Sequence, residues 1–407
     1  MPTTPTKKSW TVMVYMAGDN NLDPEGVQDL KEMKKVGSTD KLNIIAQFDR
    51  AAGHVARRYY LSKGGIVTGD AVASLGTVNT GDPKCLSDFI QWGLKNYPAN
   101  HYLLVLWNHG QGWDDTDIYA GERQRSLRRL ATGPIRHAVF HSPVRRTLAK
   151  ASSDITAKAI LLDDNAKDFL DNHEMKKVLA DTAKLLKRKL DIFGTDACLM
   201  SMAEVSYQIH ESANYMLGSE QTEPGEGWPY HTILGALAKN PAMSPRDLSS
   251  LIVSKYLASY SNEDAVTYSA CDLTKAGVLA TAVGGLATAL KASLKDSAAR
   301  QRILAVRNQV QAYDVPDNID LVDFCTLLSN AGANAATVTA CQNVIKAVKS
   351  SFVIKQGYKG ENVSNSHGIA IYFPLQTVSP LYAGLDFSKK TGWDAFLKAY
   401  LNVIRSR

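Results

Sequence analysis

Through the first 220 residues, short blocks of apolar residues are separated by polar stretches with helical spacing. These blocks predict strands at Trp10–Gly18, Lys41–Arg50, Arg57–Lys63, His101–Gly110, Ala159–Asp164, Leu190–Asp196 and Tyr215–Glu220. The fourth, "HYLLVLWNHG", is almost continuously apolar, which suits a strand buried on both faces. Between the blocks the period lengthens, predicting helices over Pro24–Val36, Leu86–Asn96, Asn172–Lys187 and Leu199–His210. Strand and helix in alternation imply an α/β fold: a mostly parallel central sheet with helices on both faces. Towards the C-terminus helical spacing dominates, and strands return at Ala265–Leu273, Ser351–Gly360 and Gly368–Pro374. We therefore expect a boundary at Asn240-Pro241, dividing an α/β region, residues 1–240, from a helix-rich region, residues 241–407.

Composition adds little to this until its distribution is considered. Of the 407 residues 45% are hydrophobic and 21% charged, enough for a sizeable core. No uninterrupted apolar run approaches the roughly 20 residues of a membrane-spanning helix, and no membrane partner is expected. The start is basic and passes directly into a strand-like block without a signal-peptidase site, which predicts a cytoplasmic chain, or a secreted one whose export signal has been removed. Five cysteines, with no CxxC pair, argue against a disulfide framework and against a zinc site. The formal charge of +6 suggests nucleic acid until it is mapped. Residues 121–158 hold nine Lys/Arg and two acids, a net +7 that leaves the rest of the chain at −1. The body of the protein offers no basic face, and a nucleic-acid partner is not expected. The same basic segment has no helical or strand period, contains Gly133-Pro134 and Ser142-Pro143, and is too long for an ordinary connection.

In open α/β sheets chemistry collects beyond the C-terminal ends of the strands. The segments found there are "GDNNLD" (Gly18–Asp23), "NHGQGW" (Asn108–Trp113), "DACLM" (Asp196–Met200) and "EQTEPGEGWPY" (Glu220–Tyr230). A histidine and a cysteine thus stand on two strand ends that face one rim. Cys198 is expected to open a helix, whose dipole would favour the thiolate. His109 supplies the base or the imidazolium partner. Backbone N–H groups of Gly110 and Cys198 are candidates for an oxyanion hole. Asp196, two residues before the cysteine, suits a cation on the substrate better than it suits orienting the histidine. Glu226, between Gly225 and Gly227, is expected to be a second acid of the same pocket, which would select Arg or Lys. The plainer readings are that a strand-end cysteine is a small buried hydrophobe, as assigned to Cys85, Cys271, Cys325 and Cys341, and that Asp196 is a helix cap. Asp114–Asp117 is taken as a solvated loop in preference to a calcium site.

Five blocks, "WTVMVYMAGDNNLD", "LLVLWNHGQGW", "DIFGTDACLMSMAEV", "SEQTEPGEGWPY" and "GIAIYFP", together resemble the clostripain family of cysteine peptidases, in order from Trp10 to about Pro374. The resemblance implies a caspase-like α/β/α sandwich and a His–Cys dyad at His109 and Cys198. It also implies cleavage of polypeptides after Arg or Lys, with Asp196 and Glu226 shaping the pocket. No cofactor is required for that chemistry, although some relatives depend on Ca²⁺. The family also tends to cut itself between histidine and cysteine. Self-cleavage is therefore expected within residues 121–158, after Arg145, Arg146 or Lys150, although relatives often have a shorter loop there. Two rivals are weighed. One is a latent or inactive peptide-binding module on the same fold. The other is a response-regulator-like or nucleotide-binding domain using Asp19 and Asp49, disfavoured because no GxGxxG or Walker sequence follows the first strand.

Overall fold

The computed structural model describes residues 6–64, 66–115, 119 and 160–405. Its centre is a nine-stranded sheet. Five parallel strands form the middle: β2 (Leu42–Arg50), β1 (Lys8–Gly18), β5 (Ala99–Trp107), β8 (Leu190–Asp196) and β9 (Ala213–Gly218). Antiparallel strands complete both sides, β3 (Ala56–Tyr60) and β4 (Ala71–Gly76) beyond β2, and β10 (Thr267–Asp272) and β12 (Val353–Tyr358) beyond β9.

Alternation along the strands divides the core into two layers. In β1, Val12 and Val14 face one side with Leu103, Val105 and Ile192, under the helices Tyr230–Lys239 and Pro245–Ser259. Met13 and Tyr15 face the other side with Leu104 and Phe193, under the helices Asn172–Leu186, Ala276–Ser293 and Trp393–Arg405. The sheet therefore has an apolar cover on both faces, and residues from either side of 240 contribute to it. Leu273–Ser293 is long and apolar enough to cross a membrane by length and composition, but here Leu279, Val283, Leu286 and Leu290 are buried in the second layer.

Two expectations are corrected. The block at Ala159–Asp164 does not join the central sheet: β6 (Ile160–Asp163) pairs antiparallel with β7 (Asp168–Leu170) as a separate hairpin. The predicted helix at Leu199 begins at Ala203 and runs only to Ile209. Of the late strands, two extend the central sheet, whereas Ala370–Tyr372 (β13) pairs with Asn318–Asp320 (β11) in a small sheet of its own.

Glu204, in the first turn of the short helix, joins this small sheet to the core. Its Oε1 accepts from the Tyr372 N–H at 3.0 Å and the Tyr382 hydroxyl at 2.7 Å, while Oε2 is buried without a partner. Burial pushes its carboxyl from 4.5 up to about 7. The fold thus binds a proton that the unfolded chain gives up, and stability falls as pH rises from about 4.5 to about 7. Glu204→Gln keeps the acceptor and removes the ionisation, so its melting temperature is expected to decline less steeply over that window. Parallel thermal melts of both proteins read the difference.

Candidate active site

β5 and β8 are neighbours in the middle of the sheet, with Trp107 paired to Asp196. His109 and Cys198 therefore lie equally far, two residues, beyond one register point on adjacent parallel strands. The Asn108 N–H donates to the Asp196 carbonyl at 3.2 Å and continues the pairing one step further. Gly110 is packed directly on the cysteine turn: a Cβ there would lie 2.7 Å from the Cys198 carbonyl oxygen.

Asparagines fix the rim. Asn108 Nδ2 donates to the Ala17 carbonyl and, at 3.2 Å, to that of Leu162. Asn20 Nδ2 reaches the same two carbonyls at 3.0 and 2.9 Å. The ends of β1, β5 and β6 are thereby tied together. Asn21, next in sequence, is exposed, and its Oδ1 lies 2.8 Å from Nε2 of His109. An amide oxygen only accepts, so this contact puts the imidazole proton on Nε2 and leaves Nδ1 as the basic nitrogen. Burial holds His109 below the ordinary histidine range. Sequence reasoning passed over Asn21, although it noted the segment that contains it.

Cys198 is half-buried, in a turn rather than at a helix N-terminus. Leu199 adopts φ 62°, an uncommon conformation for a side-chain-bearing residue, and its N–H is held by the Gln221 carbonyl at 3.1 Å. The expected dipole assistance is absent, and the expected thiolate with it. Burial pushes the Cys198 thiol up to about 12, against the lowering effect of the Glu223 N–H, which donates to Sγ at 3.2 Å. The thiol in turn points to the Glu223 carbonyl, 3.9 Å away. Among the described residues no hydrogen bond joins Sγ to the imidazole. The backbone N–H groups of Gly110 and Cys198 donate to no protein carbonyl in the described residues.

Beside the cysteine turn the Asp196 and Glu223 carboxyls lie near one another. Asp196 is buried, and its Oδ2 accepts from the Tyr230 hydroxyl at 2.9 Å and the Trp228 N–H at 3.3 Å. Burial raises its carboxyl to about 7. Gly227, at φ 54°, covers Oδ1 so closely that a Cβ would come within 2.7 Å of it. Glu226 is exposed, whereas Glu223, not singled out in the sequence, buries both carboxyl oxygens. Asp115, read as part of a solvated loop, is instead spent on Asn172, accepting from its N–H at 3.0 Å and its amide at 2.7 Å. Among the described residues no three His, Cys, Asp or Glu side chains are placed to hold a metal ion. Arg145, Arg146 and Lys150 lie outside the described residues.

Asn21 is the positioning residue this geometry exposes to test. Asn21→Asp would place a carboxylate on Nε2 and stabilise the imidazolium. The acid limb of kcat/KM is then expected to move up by about one pH unit, whereas Asn21→Ala leaves the limb in place and lowers the plateau. A full pH–rate profile of each variant separates the two effects.

Comparisons with known proteins agree with one another. A family model described as the clostripain family matches residues 14–127 and 147–400. Clostripain from Hathewaya histolytica is 29% identical over 251 residues, which is 55% of this chain and 41% of that protein. The match thus spans about two-fifths of the curated relative's length. A secreted C11 cysteine protease from Bacteroides thetaiotaomicron, solved with an irreversible peptide inhibitor, superposes with a TM-score of 0.62 at 21% identity, covering 95% of this chain and 100% of that one. An inactive zymogen C11 protease from Parabacteroides distasonis gives 0.65 at 21% identity, covering 95% and 99%. At these identities the two structures show a shared fold, the caspase-like α/β/α sandwich expected from the sequence.

Proposed function

This chain belongs to the clostripain family of cysteine peptidases, and on that premise we propose that it is an endopeptidase cleaving polypeptides after Arg or Lys. The observation that supports the reading is the register of β5 against β8, by which His109 and Cys198 follow paired residues on adjacent strand ends, near the Asp196 and Glu223 carboxyls. The latent-module alternative gains no observation of its own.

In the proposed reaction the Cys198 proton passes to Nδ1 of His109 as the sulfur attacks the scissile carbonyl carbon. The new C–S bond and the oxyanion form together, and the N–H groups of Gly110 and Cys198 hold that charge. The imidazolium then gives its proton to the leaving amine as the C–N bond breaks, leaving a thioester. Water, deprotonated by His109, attacks the thioester, and the C–S bond breaks to restore the thiol. Asp196 receives the substrate cation, and Glu226 stands at the exposed mouth of the pocket. Burial, which disfavours both the thiolate and the imidazolium, suits this order, because the nucleophile is then made as the base accepts its proton.

Self-cleavage within residues 121–158, after Arg145, Arg146 or Lys150, belongs to the same proposal. An Arg-aminomethylcoumarin substrate and intact-mass measurement test both parts. The expected result is turnover by the wild-type protein, with fragments ending in that segment. No turnover before or after limited trypsin treatment would favour the binding module.

A further inference from the structure

Resting on that reading, we propose that Glu223 is a specificity-determining residue: its carboxylate takes the cationic end of the substrate side chain, while its backbone N–H holds the sulfur that attacks the adjoining carbonyl.

Both Glu223 carboxyl oxygens are sealed from solvent without a hydrogen-bond partner. The Tyr256 hydroxyl and the Ala197 N–H are close enough to favour the carboxylate, but neither reaches it with hydrogen-bond geometry, and the Tyr256 hydroxyl has no other partner among the described residues. Buried carboxyls are ordinarily satisfied, so an orphaned one in a loop beside a nucleophile points to a missing ligand. Its surroundings define that ligand's charge and shape. Asp196 adds a second acid, and Tyr256, Tyr260 and Tyr268 lie around the pair. Tyr256 stacks on Tyr268 with centroids 4.3 Å apart and lies 4.8 Å from Tyr260. Two carboxyls among aromatic rings suit a planar guanidinium better than a compact ammonium. Burial and the neighbouring Asp196 also raise the Glu223 carboxyl, and a cation bound beside it would favour the ionised form.

The backbone of the same residue contacts the sulfur from both sides, N–H to Sγ at 3.2 Å and carbonyl at 3.9 Å. Binding of the cation and placement of the nucleophile thus depend on one residue. Glu226 shares neither property: its side chain is exposed.

The full chain as Glu223→Gln, Glu223→Asp and Glu211→Gln, each checked by thermal melting, decides the matter. Assays use Arg- and Lys-aminomethylcoumarin, and calorimetric titration uses methylguanidine. Glu223→Gln is expected to lose about 10- to 100-fold in kcat/KM for the Arg substrate, mainly through KM, with a smaller loss for Lys. Glu223→Asp, which withdraws the charge by one bond, should fall between. Glu211→Gln, an exposed acid at the opposite end of β9, should stay within about twofold of wild type. Methylguanidine should bind wild type and release about one proton, and Glu223→Gln should lose both effects. Wild-type KM and methylguanidine affinity in Glu223→Gln would overturn the proposal while leaving the peptidase standing. A wild-type protein that neither cleaves the Arg substrate nor binds methylguanidine would overturn both.

Discussion

Cys198→Ala is expected to abolish hydrolysis of an Arg-aminomethylcoumarin substrate, a loss of about 10⁴-fold or more. The magnitude follows from chemistry: alanine has no atom that can form the thioester. Cys271, Cys325 and Cys341 are buried in the core, and Cys85 sits in the helix Pro83–Asn96. The fold should scarcely notice. Sγ takes part in one contact of ordinary length, from the Glu223 N–H, and losing it costs about 1 kcal/mol. A melting temperature close to wild type with no detectable turnover is therefore the expected pair of results. Intact mass adds a second reading, since Cys198→Ala should remain one chain where wild type yields fragments. Residual turnover well above the uncatalysed rate in a correctly folded variant would exclude Cys198 as the nucleophile.

The second large effect is expected at Asp196. Asp196→Asn keeps the size of the side chain and an acceptor for the Trp228 N–H and the Tyr230 hydroxyl, but removes the charge. A charge-assisted hydrogen bond to a substrate cation is worth roughly 1.5–3 kcal/mol, so kcat/KM for the Arg substrate should fall about 10- to 100-fold, mostly in KM. The pH dependence carries its own sign. Burial raises this carboxyl to about 7, and only the ionised form attracts a cation. Wild-type kcat/KM should therefore climb with pH through about 7 and then level off, and Asp196→Asn should flatten that climb. His109 contributes a separate limb at lower pH, because burial holds it below the ordinary histidine range and it must be neutral to act as base. An undiminished KM for Arg in Asp196→Asn would remove this residue from the pocket.

Much of this architecture was legible in the sequence because the innermost strands β1 and β5 are buried on both faces and so write nearly continuous apolar runs. Val12–Met16 and Leu103–Trp107 are such runs. Strand ends follow from where those runs stop, which marks His109 and Cys198 as strand-end residues. The helix predicted at Leu199 was misplaced for a physical reason. Leu199 and Met202 are buried as the period requires, but a left-handed turn, not a helix, buries them. Asn21 and Glu223 leave no periodic trace. Asn21 acts on a residue 88 positions away and Glu223 on one 25 away, and only the folded rim brings them together. Whether a late strand joins the main sheet also depends on its neighbours: Thr267–Asp272 finds β9, whereas Ala370–Tyr372 meets a three-residue partner elsewhere.

The adjacency of β5 and β8 governs what a backbone break between residues 120 and 159 would do. The upstream fragment would carry strands β1 to β5 and the downstream fragment all the rest, yet the ladder from Leu103–Ile192 to Trp107–Asp196 crosses the divide at the centre of the sheet. Leu104 and Met13 from one fragment share a core layer with Phe193 and Phe396 from the other. The nicked molecule would migrate as two bands in detergent but elute as a single particle under native conditions, its halves held by the same burial that folded them.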